Sequence, residues 1–134
     1  MKIFLAYGKN IKIKEKVQSI IASLGNTVVD LVEETNKGKT IIEKLELNSD
    51  VDKAVVLLTG DDSVKPFKCR KTIKCPRQNV IFELGYFVSK LKRENVIVIA
   101  ENSNVSKLLS DYQVSYIDFS KKNAAAKLIK ELKE

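Results

Sequence analysis

The run Arg77-Gln78-Asn79-Val80-Ile81-Phe82-Glu83-Leu84-Gly85-Tyr86-Phe87 puts a single carboxylate into an apolar helical segment. From Val80 to Val88 every residue except Glu83 is apolar or glycine. A helix that is apolar on all sides lies inside a protein. A carboxylate in such a place is costly unless it is paired or opens onto a cavity. The helix dipole also favours a first-turn Glu, so position alone is compatible with a structural role. Asn79 is the expected N-cap of a helix running to Lys92. Two neighbouring features point to a site instead. Arg77, Gln78 and Asn79 bring polar groups to a helix end whose free N–H groups favour an anion. Gly85 removes a side chain where a backbone or ligand could approach.

The chain contains no histidine. That excludes Ser-His-Asp and Cys-His catalysis and every histidine metal site. Chemistry must rest on carboxylates, lysine, cysteine, tyrosine or backbone dipoles. Cys69 and Cys75 are too few to close a zinc site and are read as plain thiols. No resident metal or cofactor is expected.

The elements around this segment alternate. Lys2 to Tyr7 reads as a strand, and Ile13 to Leu24 as a helix with Val17, Ile20, Ile21 and Leu24 on one face. Thr27 to Val32 is a β-branched strand, and Glu34 to Lys39 a polar loop. Thr40 to Asn48 is a helix. Lys53 to Leu58 is an unbroken apolar strand of the kind found at the centre of a parallel sheet. Thr59 to Gln78 reads as a loop with Pro66 and Pro76, and Asn95 to Ala100 as a further strand. Val105 to Leu109 is a short helix, Ser115 to Phe119 a last strand and Ala124 to Glu134 a last helix.

Such alternation predicts an α/β fold: a flavodoxin-like five-stranded parallel sheet, order 2-1-3-4-5, with helices on both faces. Ligands of such sheets bind outside the strand C-termini at the switch point. That rule selects the loops after Tyr7, Val32 and Leu58, and the last leads directly into Arg77 to Glu83. A loop of about twenty residues is long for a compact domain and more often functional. Ala6-Tyr7-Gly8-Lys9-Asn10 lacks a phosphate-binding glycine fingerprint, and Gly38-Lys39-Thr40 lacks the upstream glycine of a P-loop.

With 134 residues the chain is read as one domain, 1–134, able to bury a core. No apolar run reaches the ~18 residues of a membrane span. Met1 to Ala6 is too short for a signal sequence, so a cytoplasmic location is expected. Six of the net +7 charges fall in residues 65–77, as Lys65, Lys68, Arg70, Lys71, Lys74 and Arg77. That stretch holds one aromatic, Phe67, and no stacking pattern, so a solvated loop or a ligand phosphate fits it better than nucleic acid.

Gly38-Lys39-Thr40-Ile41-Ile42-Glu43-Lys44-Leu45-Glu46, Ser49-Asp50-Val51, Ala54 to Asp62, Arg77 to Phe87 and Lys90 to Arg93 together resemble the bacterial TIR-like domains. These are predicted nucleotide-binding domains that also form the TIR part of cyclic-nucleotide-gated anti-phage effectors. The resemblance covers nearly the whole chain in order. It implies cleavage of NAD+ at the nicotinamide–ribose bond, with NAD+ as substrate, Glu83 as the catalytic carboxylate and self-association with other TIR-like domains. It places the substrate against Tyr7, Gly8, Gly38, Lys39, Thr40, Asp61, Asp62, Arg77, Gln78 and Asn79. The loop Glu34 to Lys39 matches the one used for assembly and closure over substrate. Three departures stand out: Tyr7-Gly8 replaces the usual His-Gly, Gly60 replaces a proline, and the loop before Arg77 is unusually basic.

The residues suit that chemistry. Nicotinamide leaves a ribosyl C–N bond as a neutral base, so no general acid is needed. One carboxylate beneath the sugar can stabilise the oxocarbenium-like charge, where O-glycosides usually need two. Two further readings share the pattern. A nucleoside deoxyribosyltransferase also sets a Glu against a ribosyl C–N bond, and a non-catalytic TIR-like scaffold would bind nucleotide or partner domains without chemistry.

Overall fold

The computed structural model describes residues 1–31, 38–106 and 114–134. In chain order the elements are β1 (Lys2–Ala6), α1 (Ile11–Ser23), β2 (Thr27–Val29), α2 (Ile41–Leu47), β3 (Lys53–Leu58), β4 (Asp62–Val64), β5 (Ile73–Cys75), α3 (Gln78–Leu91), β6 (Val96–Ala100), α4 (Ser103–Ser106), β7 (Ile117–Asp118) and α5 (Ala124–Lys133). A 3₁₀ turn, Arg93–Asn95, joins α3 to β6.

Five parallel strands form one sheet in the order β2-β1-β3-β6-β7. Counted along that sheet alone this is the expected 2-1-3-4-5. Strand side chains alternate between faces with period two. Phe4, Ala6, Ala54, Val56, Leu58, Val98 and Ala100 meet Leu45 of α2 and Val80, Leu84 and Phe87 of α3. Ile3, Leu5, Val55, Leu57, Ile97 and Ile99 meet Val17 and Ile21 of α1 and Leu128 and Leu132 of α5. β3 is therefore buried along its whole length. Its first residue, Lys53, is buried too and donates from Nζ to the Glu131 carbonyl at 2.7 Å.

Three expectations need correction. The stretch Thr59 to Gln78 is not a plain loop: β4 and β5 form an antiparallel hairpin with Asp62 opposite Cys75, Ser63 opposite Lys74 and Val64 opposite Ile73. Each strand has only three residues, too few to show an alternation, and the connection between them, residues 65–72, is dense in cations. Asn79 is not the N-cap of α3. Arg77 is extended at that position, and its carbonyl accepts from the N–H groups of Val80 and Ile81, so the helix begins at Gln78. Nor is α3 buried all round. Val80, Glu83, Leu84 and Phe87 form the inward stripe at i, i+3, i+4, i+7, while Phe82 and Gly85 face outward.

β2 ends at Val29, short of the expected Val32, which lies outside the described residues, as do residues 34–37 of the polar loop. The helix expected over Val105 to Leu109 is described only as α4, and residues 107–109 lie outside.

Phe87 has no exposed surface, and its ring stacks on Phe4 with centroids 4.4 Å apart. It pins α3 to β1 directly below the sheet edge that carries the site. Phe87→Ala should destabilise the domain by about 3–5 kcal/mol, the cost of emptying a packed aromatic position. A urea melt followed by circular dichroism measures it; a loss below about 1 kcal/mol would show that this contact does not hold the helix.

Candidate active site

A cleft of about 670 Å³ opens at the C-terminal edge of the sheet, between the starts of α2 and α3. Tyr7 and Gly8 follow β1, Asp30 and Leu31 follow β2, Gly38, Lys39, Ile41 and Lys44 belong to the entry and body of α2, and Arg77, Asn79 and Glu83 to the entry of α3. The cleft lies at the sheet edge that the switch-point rule selects, though residues 59–76 of the loop after β3 do not line it.

Glu83 is 7% exposed and yet lines this cleft. Its inward position follows from helical spacing, three residues after Val80 and four before Phe87. Burial pushes its pKa up to about 7 from 4.5. The Asp30 charge pushes the same way, and Arg77 opposes both. Asp30 is held in place by Tyr7, whose hydroxyl donates to Oδ2 at 2.8 Å, and by Lys14, 3.8 Å from the same oxygen. The Lys14 ammonium also lies 4.9 Å from the Tyr7 ring centroid. Tyr7, the departure from the usual histidine, is therefore the piece that orients the second carboxylate of the cleft.

Seven of the residues singled out from sequence come together here: Tyr7, Gly8, Gly38, Lys39, Arg77, Asn79 and Glu83. Four do not line the cleft. Thr40 is the N-cap of α2, accepting from the Glu43 N–H and donating to its carboxylate at 3.2 Å. Gln78 is exposed on the outer side of α3. Asp62 starts the hairpin opposite Cys75. Asp61 accepts from Thr59 Oγ1 at 2.8 Å and sits behind Gly8. A Cβ at Gly8 would overlap the Asp61 carboxylate, so the close approach is made at Gly8. Gly85, expected to serve that purpose, has nothing within 4 Å of an added Cβ.

Asp30 and Lys44 are cleft residues that sequence reading missed. Asp30 is the first residue past β2 and falls inside the stretch expected to be strand; Lys44 lies on α2, where nothing in the local pattern marks it. Glu101 was missed as well. It accepts from the Gly60 N–H and from Asn10 Nδ2, both at 2.9 Å, and so ties the loops after β1 and β3 to the end of β6. Among the described residues, no group of three His, Cys, Asp or Glu could hold a metal ion, and no helix is long and apolar enough to cross a membrane.

A five-stranded 2-1-3-4-5 sheet with a buried glutamate near the start of α3 defines a flavodoxin-like α/β domain, a class that includes the TIR-like domains. The TIR domain of the CAP12/Pycsar effector proteins matches residues 2–121, and the chain belongs to that family. It is 35% identical over 105 residues to Protein tirC of Dictyostelium discoideum, covering 75% of this chain and 52% of that protein. It is 40% identical over 99 residues to the uncharacterized protein YuaY of Escherichia coli K12, covering 73% of this chain and 33% of that protein. The chain thus spans between a third and about half of these relatives. A 2-deoxyribosyltransferase from the psychrotolerant bacterium Bacillus psychrosaccharolyticus shares the fold, with TM-score 0.59 at 17% identity over 96% of each chain.

The raised pKa of Glu83 has a stability consequence. The folded state favours the protonated acid, so native stability is lost as pH rises from 4.5 to about 7 and stays lost above that. The penalty is on the order of 3 kcal/mol, since one pKa unit is ~1.4 kcal/mol. Glu83→Gln should therefore melt higher than the parent at pH 8 and at the same temperature near pH 4.5. Equal melting temperatures at both pH values would mean that the carboxylate is not desolvated.

Proposed function

We propose that this domain hydrolyses the nicotinamide–ribose bond of NAD+, as an anti-phage effector switched on by self-association. The observation that carries the reading is Glu83, a carboxylate desolvated by its helix yet open to a cleft at the sheet's ligand-binding edge. Membership in the CAP12/Pycsar TIR family supports it. The cleft also offers both charges that the substrate needs: Lys39, Lys44 and Arg77 for a diphosphate, Asp30 and Glu83 for a cationic ring and ribose.

In this reading the C1′–N bond breaks heterolytically and its electron pair passes to the ring nitrogen. Nicotinamide leaves neutral and unprotonated. The ionised Glu83 lies beneath the ribose and stabilises the positive charge at C1′. A water oxygen then bonds to C1′ and releases one proton to solvent. The carboxylate acts in a water-poor site, where a fixed charge is worth ~3–4 kcal/mol to the transition state.

Chromatography of NAD+ after incubation with concentrated protein tests the reaction: nicotinamide and an ADP-ribose product should appear in equal amounts. Glu83→Gln should fold and lower the rate by ~10²-fold or more. Because the ionised form is required, kcat/KM should rise with pH through an inflection near 7, the value set by burial and Asp30. A flat profile from pH 5 to 9 would remove Glu83 from the chemistry. Base exchange on deoxynucleosides with NAD+ left intact would instead make the domain a deoxyribosyltransferase.

Activity per molecule should also increase with protein concentration. Net charge of +7 opposes close packing of copies, so dilute protein should be slow. A turnover number constant from nanomolar to high micromolar protein would mean that a single chain is a complete enzyme.

A further inference from the structure

The β4–β5 hairpin carries cations that the cleft does not use. Lys65, Lys68, Arg70, Lys71 and Lys74 are exposed, and no acid lies between residues 65 and 77. Among the described residues these five make no ion pair. At the hairpin tip Phe67 is 92% exposed, with Val64 at 47% beside it. An aromatic ring presented almost entirely to water, with the Lys68 ammonium 5.7 Å from its centroid, is a form typical of an interface anchor.

A complementary surface lies on the same molecule. α2 is capped by Thr40 and held to the core by Leu45 alone among its fully buried side chains. Ile42 is 48% exposed and Leu47 61% exposed. Glu43, Glu46 and Asp50 are exposed around them. Positions 42, 43, 46, 47 and 50 follow the i, i+3, i+4 spacing of one helix face continued past its end, so apolar and acidic groups share a stripe. No ion pair among the described residues engages these three acids.

We infer that these two surfaces are partners between copies: the cationic hairpin of one chain, led by Phe67, docks on the acidic, apolar face of α2 of another. Opposite charge sets the register, and Phe67 supplies apolar contact against Ile42 and Leu47. The two patches are different surfaces, so the contact is heterologous, and unless it closes into a ring it propagates as a filament. Ile41 and Lys44, on the other flank of α2, line the cleft, so the docking face and the cleft share one short helix. This deepens the reading that the domain works by self-association and does not rest on NAD+ cleavage.

Sedimentation velocity of the 134-residue chain over a concentration series tests it. The parent should associate at low salt and dissociate as ionic strength rises. Phe67→Ser should shift the association midpoint roughly tenfold or more to higher concentration, as for an interface anchor. So should the pair Lys68→Glu, Lys71→Glu and, separately, the pair Glu46→Lys, Asp50→Lys. All substituted side chains are exposed, and far-UV circular dichroism confirms that each variant is folded. Mixing the two charge-reversed proteins should restore association, because the reversed hairpin of one now matches the reversed α2 of the other. If the parent associates and neither charge pair changes it, the interface is wrong while self-association stands. A parent that stays monomeric at every concentration and salt overturns both. Capture of the monomer by anionic vesicles or single-stranded DNA through Phe67, with no self-association, would assign the hairpin to a different partner and also overturn the inference.

Discussion

Keeping one carboxylate out of water, at the point where a helix meets the open edge of a sheet, is the constraint around which this domain is organised. Glu83 has to sit on the inward stripe of α3, between Val80 and Phe87, to be desolvated. It has to lie near the helix start to reach the cleft. Both conditions hold only if α3 packs tightly on β1 and β3, and the Phe4–Phe87 contact secures that packing. The carboxylate is a cost to the fold, raised further by the nearby Asp30. The buried sheet must offset it, and an unbroken apolar β3 is well suited to that task.

The wall opposite Glu83 is built from polar parts that restrain one another. Tyr7 donates to Asp30, Lys14 lies near both, and the two carboxylates of the cleft feel each other through a medium of low polarity. Glu101 bridges loops from two other strands through the Gly60 N–H and Asn10, so the sheet edge is cross-tied as well as packed. A site whose charged groups are fixed before a ligand arrives spends little free energy on rearrangement during reaction.

Charge is partitioned by surface. The cations within the cleft, Lys39, Lys44 and Arg77, share it with Asp30 and Glu83, whereas those of the hairpin make no ion pair among the described residues. Uneven distribution matters more than the net value for how such a domain meets other molecules. Repulsion between copies sets the background, and local complementarity selects an orientation.

Sequence alone determined the α/β class, the strand order and the identity of Glu83 as the anomalous residue. Unbroken apolar strands such as Lys53–Leu58 leave few alternatives to a sheet covered on both faces, and a lone acid among apolar residues is visible without coordinates. It also pointed to the edge of the sheet where the cleft lies, because the switch-point rule depends only on topology. Tertiary structure decided what local pattern does not encode. The hairpin was concealed because its strands are three residues long, too short for a period-two pattern to show. Gly85 looked like the point of close approach, but that role falls to Gly8, whose neighbour Asp61 is brought in from a loop over fifty residues away in the chain. Asp30 joins the cleft only because β1 and β2 pair in parallel with Phe4 beside Val29. Residues that meet through strand pairing leave no mark at their own positions, since spacing along a chain reports the face of an element and not the element that will lie beside it.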